Sequence, residues 1–345
     1  MNSIKKMMLS GALGCLISGM AYAGGSSPQP VKPYWQDIQV VAVNKEKPRS
    51  SFMSYADRET ALTSRFEKSP YYSLLNGTWK FFFVDSYKDL PQNITDPSVN
   101  TSSWDDITVP GNWEVQGHGV AIYTNHGYEF KPKNPQPPLL PEANPVGVYR
   151  RDIEIPANWD NRDIYLHIGG AKSGLYVYLN GKEVGYSEDS KNPAEFLINR
   201  YLQPGKNVLT LKIFRWSTGS YLECQDFWRM SGIERDVFLW SQPKASIQDF
   251  RVVSTLDDTY TNGIFKLAVD LKNHTQETKN LNVGYELLDA KGNLVTSEAN
   301  DIWVSPAAPQ TASFEYDLKN VAPWSAEHPN LYKLLLSLIH ISEPT

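Results

Sequence analysis

Residues 174–187 read GLYVYLNGKEVGYS, and they leave little choice of local structure. Leu175, Val177 and Leu179 recur at every second position, which sets them on one face of an extended strand. Asn180-Gly181 follows, the pair that a two-residue hairpin turn favours because both of its positions need positive φ. The same period recurs along the chain. Gly77–Val84 (GTWKFFFV) is aromatic and β-prone. Val146–Ile155 alternates at its end, and Ile164, Leu166 and Ile168 alternate with Tyr165 and His167. After the turn Pro204-Gly205, Leu209, Leu211 and Ile213 share a face. No long helical period and no internal repeat occurs. Short strands punctuated by turns in this way predict an all-β sandwich.

A second set of strands begins after SQPKAS (241–246). Phe265, Leu267, Val269 and Leu271 alternate with Lys266, Asp270 and Lys272, and LNVGYELLDAKGNLV reads as strand, glycine turn, strand. About a hundred residues of this rhythm predict an immunoglobulin-like sandwich without its disulfide. The boundary falls near Pro243, and 345 residues suit two domains.

The first 23 residues read as an export signal. MNSIKK supplies positive charge, a short apolar run follows, and Ala21-Tyr22-Ala23 is a small-x-small cleavage site, so cleavage is expected after Ala23 and the protein is expected in the periplasm or outside the cell. The run is too short and too rich in Gly and Ser to span a bilayer. Cys15 has no aliphatic residue three positions before it, which argues against a lipoprotein. Once the signal is removed only Cys224 remains, so no intrachain disulfide can form. Residues 24–34 are rich in Gly, Ser and Pro and read as a flexible leader. A net charge of −5 without a basic run argues against nucleic acid as a partner.

Two segments suit a site. Residues 130–145 carry six prolines, which no central strand tolerates. They form either a plain connector or a rim over a binding face or neighbouring domain. YLECQDFWRMSG (Tyr221–Gly232) crowds aromatics against Glu223, Asp226, Arg229 and Cys224. Acid/base work by a carboxyl pair needs both groups to converge on one bond. Neither Glu223 with Asp226 nor Glu188 with Asp189 has a reason to converge in that way, so no catalytic pair is assigned. Asp226 could accept bonds from ligand hydroxyls or a hard cation, or pair with Arg229 in a structural corner. The aromatics of the stretch are expected to pack that corner. Trp104, Trp113, Trp216 and Trp228 suit sugar stacking but suit core packing better. The six histidines lack metal-ligand spacing, and GGAKSG (Gly169–Gly174) reads as a strand connection, not a phosphate loop.

Several segments in order resemble the amino-terminal part of bacterial β-galactosidases of glycoside hydrolase family 2. They are LNGTWKF (Leu75–Phe81), VPGNWEVQGHG (Val109–Gly119), IYTN (Ile122–Asn125), NPVGVYRR, LNGKEVGYSEDSKNPAEF (Leu179–Phe196), RWSTGSYLECQDFWRMSGIERDV (Arg215–Val237) and WSAEHPNLY (Trp324–Tyr332). The resemblance implies a jelly-roll, galactose-binding-like sandwich over 35–243 and an immunoglobulin-like sandwich over 244–345. A catalytic barrel carrying the acid/base and nucleophile glutamates would follow, and it is absent here. It further implies that Asp226 contacts galactosyl hydroxyls and holds part of a sodium site, and that Asn125 contacts substrate. Sodium and magnesium are implied for the full-length enzyme, as is a possible homo-oligomer. Position 224 departs from one form of the motif, which has aspartate where this chain has Cys224.

The tail departs as well. YKLLLSL reads as a strand, whereas IHISEPT loses the pattern, as in an incomplete gene product. A sandwich lacking its last strand would keep an open, aggregation-prone edge. Two other readings remain: a stand-alone carbohydrate-binding or scaffolding module, and a β-glucuronidase or β-mannosidase relative.

Overall fold

The computed structural model describes residues 32–130, 133–306 and 308–340. The segment 1–23 expected to be an export signal, most of the expected leader and residues 341–345 lie outside the described residues. The leader's last residue is packed: Tyr34 stacks on Tyr176 with ring centroids 5.7 Å apart, because its ring finds an apolar partner beside buried Trp35.

The first domain is a jelly-roll of two main sheets. One has seven antiparallel strands in the order Ala42–Val43, Lys182–Ser187, Gly174–Leu179, Lys206–Phe214, Val146–Glu154, Gly77–Val84 and Asp105–Val109. The other runs Ala194–Leu197, Arg162–Ile168, Val237–Pro243 and Tyr72–Leu74. The alternating positions meet between them: Leu175, Val177, Leu179, Leu209, Leu211 and Ile213 pack with Ile164, Leu166, Ile168 and Leu239 in one core. Each such side chain contributes about 1.5–3 kcal/mol when fully buried. Asn180 and Gly181 both have positive φ (53° and 77°), the tight turn read from their identity.

The second domain has two three-stranded sheets. One runs Ala245–Leu256, Gly263–Asn273, Gln310–Leu318, and the other Leu294–Val304, Lys279–Leu288, Lys333–His340. Phe265, Leu267, Val269 and Leu271 face Leu281, Val283, Tyr285 and Leu287. The last strand runs through Ile339 and His340, so the loss of pattern expected at Ile339 does not end it. Backbone pairing with Asn282 and Leu281 continues where side-chain alternation stops. Among the described residues that strand pairs on one side only.

The two sandwiches are fastened by charged groups. Lys272 donates to the Tyr165 hydroxyl, and His274 Nδ1 lies 2.6 Å from Asp163. Arg49 holds buried Glu195 through two nitrogens, at 2.9 and 2.8 Å, while its neighbour Ser50 donates from its backbone to Asp249. Burial alone would push the Glu195 carboxyl up. The hydrogen bond from His167 and the charge of Arg49 outweigh it and hold the carboxyl down at about 2. A depressed carboxylate stabilises the fold above its unfolded value near ~4.3, and that contribution is lost as pH falls through the folded value. The gap in unfolding free energy between the chain and its Glu195→Gln variant is therefore expected to shrink by about 3 kcal/mol between pH ~5 and ~2. Urea melts at stepped pH measure it, and a gap that stays flat over this range refutes the assignment.

Candidate functional site

Asn125 and Asp226 are brought together by a two-stranded ribbon. Ile122–Thr124 pairs antiparallel with Phe227–Arg229, Phe227 opposite Thr124 and Trp228 opposite Tyr123. Asn125 and Asp226 are the bend residues at the same end of this ribbon, each next to the last paired residue, Thr124 and Phe227. Both residues are exposed. The Tyr123 hydroxyl donates to Asp226 Oδ1 at 2.9 Å, and this bond to the carboxylate raises the Tyr123 pKa. Asn125 Oδ1 lies 2.7 Å from His126 Nδ1.

The ribbon alternates strictly. Tyr123, Asn125, Asp226 and Trp228 face outward, whereas Ile122, Thr124 and Phe227 are half-buried and Arg229 is only 2% exposed. This corrects one expectation. Trp228 does not pack the corner: it is 52% exposed and crosses Tyr123 edge-on at 5.7 Å. The reason is the period of two, which sends Trp228 to the same face as Asp226. Trp104, Trp113 and Trp216, the other three weighed for stacking, behave as packing residues. Trp104 and Trp113 are buried, and half-buried Trp216 donates to Glu129 at 3.0 Å.

Arg229 does not pair with Asp226. Its guanidinium turns inward, donates to the Glu223 carbonyl at 3.1 Å and to Cys224 Sγ at 3.5 Å, and has Nε 3.7 Å from Glu129. It lies 4.9 Å from the Phe227 ring, which Lys172 and Lys191 also approach, at 5.0 and 5.3 Å. Arg215 reinforces this underside, with Glu114 3.7 Å away and hydrogen bonds to the Val120 and Arg229 carbonyls. Cys224 donates to the Gly127 carbonyl, and burial raises its thiol pKa, so it is no ready nucleophile. The proline-rich loop borders the site. Phe130 meets Tyr221 edge-on at 5.1 Å, and the Tyr221 hydroxyl donates to the Leu139 carbonyl.

The remaining carboxylates are engaged elsewhere. Glu223 accepts from the Ser190 backbone and hydroxyl at 2.9 and 2.6 Å. Glu188 is buried and accepts from Tyr186, Thr218 and the Gly219 backbone, and burial raises its pKa. Asp189 takes the Asn192 amide. Asp226, bonded to the Tyr123 hydroxyl, keeps carboxylate oxygen of the kind a hard cation takes. Among the described residues no three His, Cys, Asp or Glu side chains stand together as a metal site. Nor is any helix among them long and apolar enough to cross a membrane.

Residues 72–243 match the family model described as "Glycosyl hydrolases family 2, sugar binding domain", and 245–344 match "Glycosyl hydrolases family 2". A β-galactosidase of Priestia megaterium is 38% identical over 317 residues, 91% of this chain and 31% of that protein. A β-galactosidase of Halalkalibacterium halodurans is 38% identical over 308 residues, 88% of this chain and 29% of that protein. The chain thus spans about a third of the length of these relatives. Among solved structures, Bacteroides uniformis β-glucuronidase superposes with a TM-score of 0.64 at 21% identity, over 77% of this chain and 30% of that one. A β-glycosidase from Bacteroides vulgatus gives 0.59 at 21% identity, over 78% and 32%. At that identity the likeness concerns the fold alone. With two models of the family matched in order over 72–243 and 245–344, the chain belongs to glycosyl hydrolase family 2.

Proposed function

We propose that the chain is the sugar-recognising portion of a β-galactosidase that removes terminal non-reducing β-D-galactosyl residues by double displacement, with both catalytic glutamates on a barrel outside these residues. The observation that carries this reading is the placing of exposed Asn125 and Asp226 at the same end of one ribbon. The Asp226 carboxylate accepts from sugar hydroxyls, and the Asn125 amide both donates and accepts. The β-galactosidase relatives at 38% identity support galactose over glucuronate. Asp226 would also give one oxygen to a sodium ion, which would help fix a bound sugar. The magnesium of the full-length enzyme would be held elsewhere. Residues 1–23 direct export in this reading.

On its own the chain recognises without cutting. A retaining pair needs two free carboxyls about 5–5.5 Å apart across the bond, and Glu188 and Glu223 are both engaged by their own domain. The purified chain is expected to release no nitrophenol from a nitrophenyl β-galactoside above the buffer rate. Turnover that survives further purification would overturn the proposal.

A further inference from the structure

Glu46, Arg49, Tyr165, Gln242, Asp270 and Lys272 border a cavity of about 270 Å³ where the two sandwiches meet. It shares no residue with the ribbon that carries Asn125 and Asp226. A water takes about 30 Å³, so the space equals roughly nine waters, near the lower limit of small-molecule pockets at about 300 Å³. Its wall is well fixed. Arg49 lies 4.5 Å from the Phe52 ring and 4.4 Å from the Trp240 ring, and Tyr165 stacks on Trp240 at 4.7 Å. Lys272, 8% exposed, donates to the Tyr165 hydroxyl, and the Gln242 amide oxygen, turned toward it, accepts at 3.1 Å. An ammonium has three donors, so one is left over. Burial lowers the Lys272 pKa, and the Glu46 charge counters that. The Glu46 backbone donates to the Glu195 carbonyl at 2.8 Å, while among the described residues its carboxylate has no hydrogen-bond partner. A spare donor and an unengaged carboxylate therefore border one space.

Charge narrows the class of ligand. Four lining carboxylates, on Glu46, Glu195, Asp249 and Asp270, stand against three cations, on Lys47, Arg49 and Lys272. An anion would enter against that balance. A cation would gain little more, because three of the carboxylates are engaged. Glu195 is tied to Arg49 and His167, Asp249 to the Ser50 and Phe250 backbone, and Asp270 to the Thr311 hydroxyl at 2.6 Å. The groups that remain suit hydroxyls, which both donate and accept. Pro48, Trp240 and Pro309 offer apolar surface for C–H groups. We propose that this cavity binds a neutral polyol of single-ring size, a hexose, between the two sandwiches. Its hydroxyls donate to Glu46 and accept from Lys272. Since the walls come from both sandwiches, the bound ring tightens their junction.

The test uses the 345-residue chain labelled with 5-fluorotryptophan, the Trp240 fluorine resonance assigned from Trp240→Phe. Four sugars of one size and different charge are titrated to roughly 100 mM: neutral D-galactose and D-glucose, anionic D-glucuronate and cationic D-glucosamine. Both neutral sugars are expected to move the Trp240 resonance at concentrations roughly tenfold below either charged one. Lys272→Met is expected to weaken that response roughly tenfold, and Glu46→Gln, which leaves the link from Lys272 to Tyr165 in place, roughly threefold. If the methionine variant folds poorly, the glutamine variant carries the comparison. The Trp240 response is expected to persist in Asp226→Ala, which lacks the carboxylate of the ribbon. A Trp240 resonance that neither neutral sugar moves overturns the site. So does a charged sugar that binds as tightly as the neutral ones, a response indifferent to both cavity substitutions, or one that vanishes with Asp226.

Discussion

Asp226→Ala is expected to lower kcat/KM for a β-galactoside by roughly 10²–10⁴-fold in the enzyme that joins this chain to its catalytic unit, taking two charge-assisted hydrogen bonds at about 1.5–3 kcal/mol each. Asp226 is exposed and bonded within its own domain to a single tyrosine hydroxyl, so its removal leaves the sandwich core untouched. The unfolding midpoint is expected to move little. The two measurements separate recognition from folding. Asp226→Asn should retain more activity than alanine, since an amide of the same shape still accepts and donates. Tyr123→Phe should cost less again, because it frees the carboxylate without deleting it. Steady-state kinetics on the four proteins, with circular dichroism as a control on fold, decide the matter. An alanine variant within threefold of the parent would remove Asp226 from substrate recognition.

Arg229→Met acts from below. Its guanidinium and the Glu129 carboxylate have side chains 1% and 6% exposed, and removing one member of such a pair leaves a buried charge uncompensated. A loss of about 3 kcal/mol is expected, the lower end of the usual range of about 3–5. Arg215 keeps it there, because its charge is also felt with Glu129. Glu129→Gln added to Arg229→Met should recover part of the loss, since the orphaned charge goes with it. Urea unfolding of the two variants gives the comparison. A single variant as stable as the parent would mean that the pair adds nothing to folding. The ribbon should also loosen in the single variant, because Arg229 ties the strand to the Glu223 carbonyl and to Cys224.

What was legible in the sequence was local. The hairpin at Asn180-Gly181 is encoded by two residues, and the core faces of the strands by alternation within each one. The ribbon depends on a contact between residues about a hundred positions apart, and alternation in one strand cannot reveal which distant strand it meets. Tyr123 is therefore invisible as a partner of Asp226, although it lies inside IYTN. Arg229 was weighed against Asp226 because the two are close in sequence, whereas its carboxylate neighbour is the distant Glu129. Trp228 was read as packing because most tryptophans pack. The signal that would have found it was present: Asp226, Trp228 and the intervening Phe227 obey the same period of two that located the core. Glu195 went unnoticed, as nothing in NPAEF tells of Arg49.

The strict alternation of the ribbon has a consequence for how such a surface can change over evolutionary time. Point replacements at Tyr123, Asn125, Asp226 or Trp228 alter what is presented while leaving the support intact. Loss or gain of one residue in the Phe227–Arg229 strand is another matter, because it would roll Phe227 and Arg229 outward and turn the carboxylate toward the lysines beneath. Lineages can therefore retune this edge letter by letter, but changes of length there are closed to them.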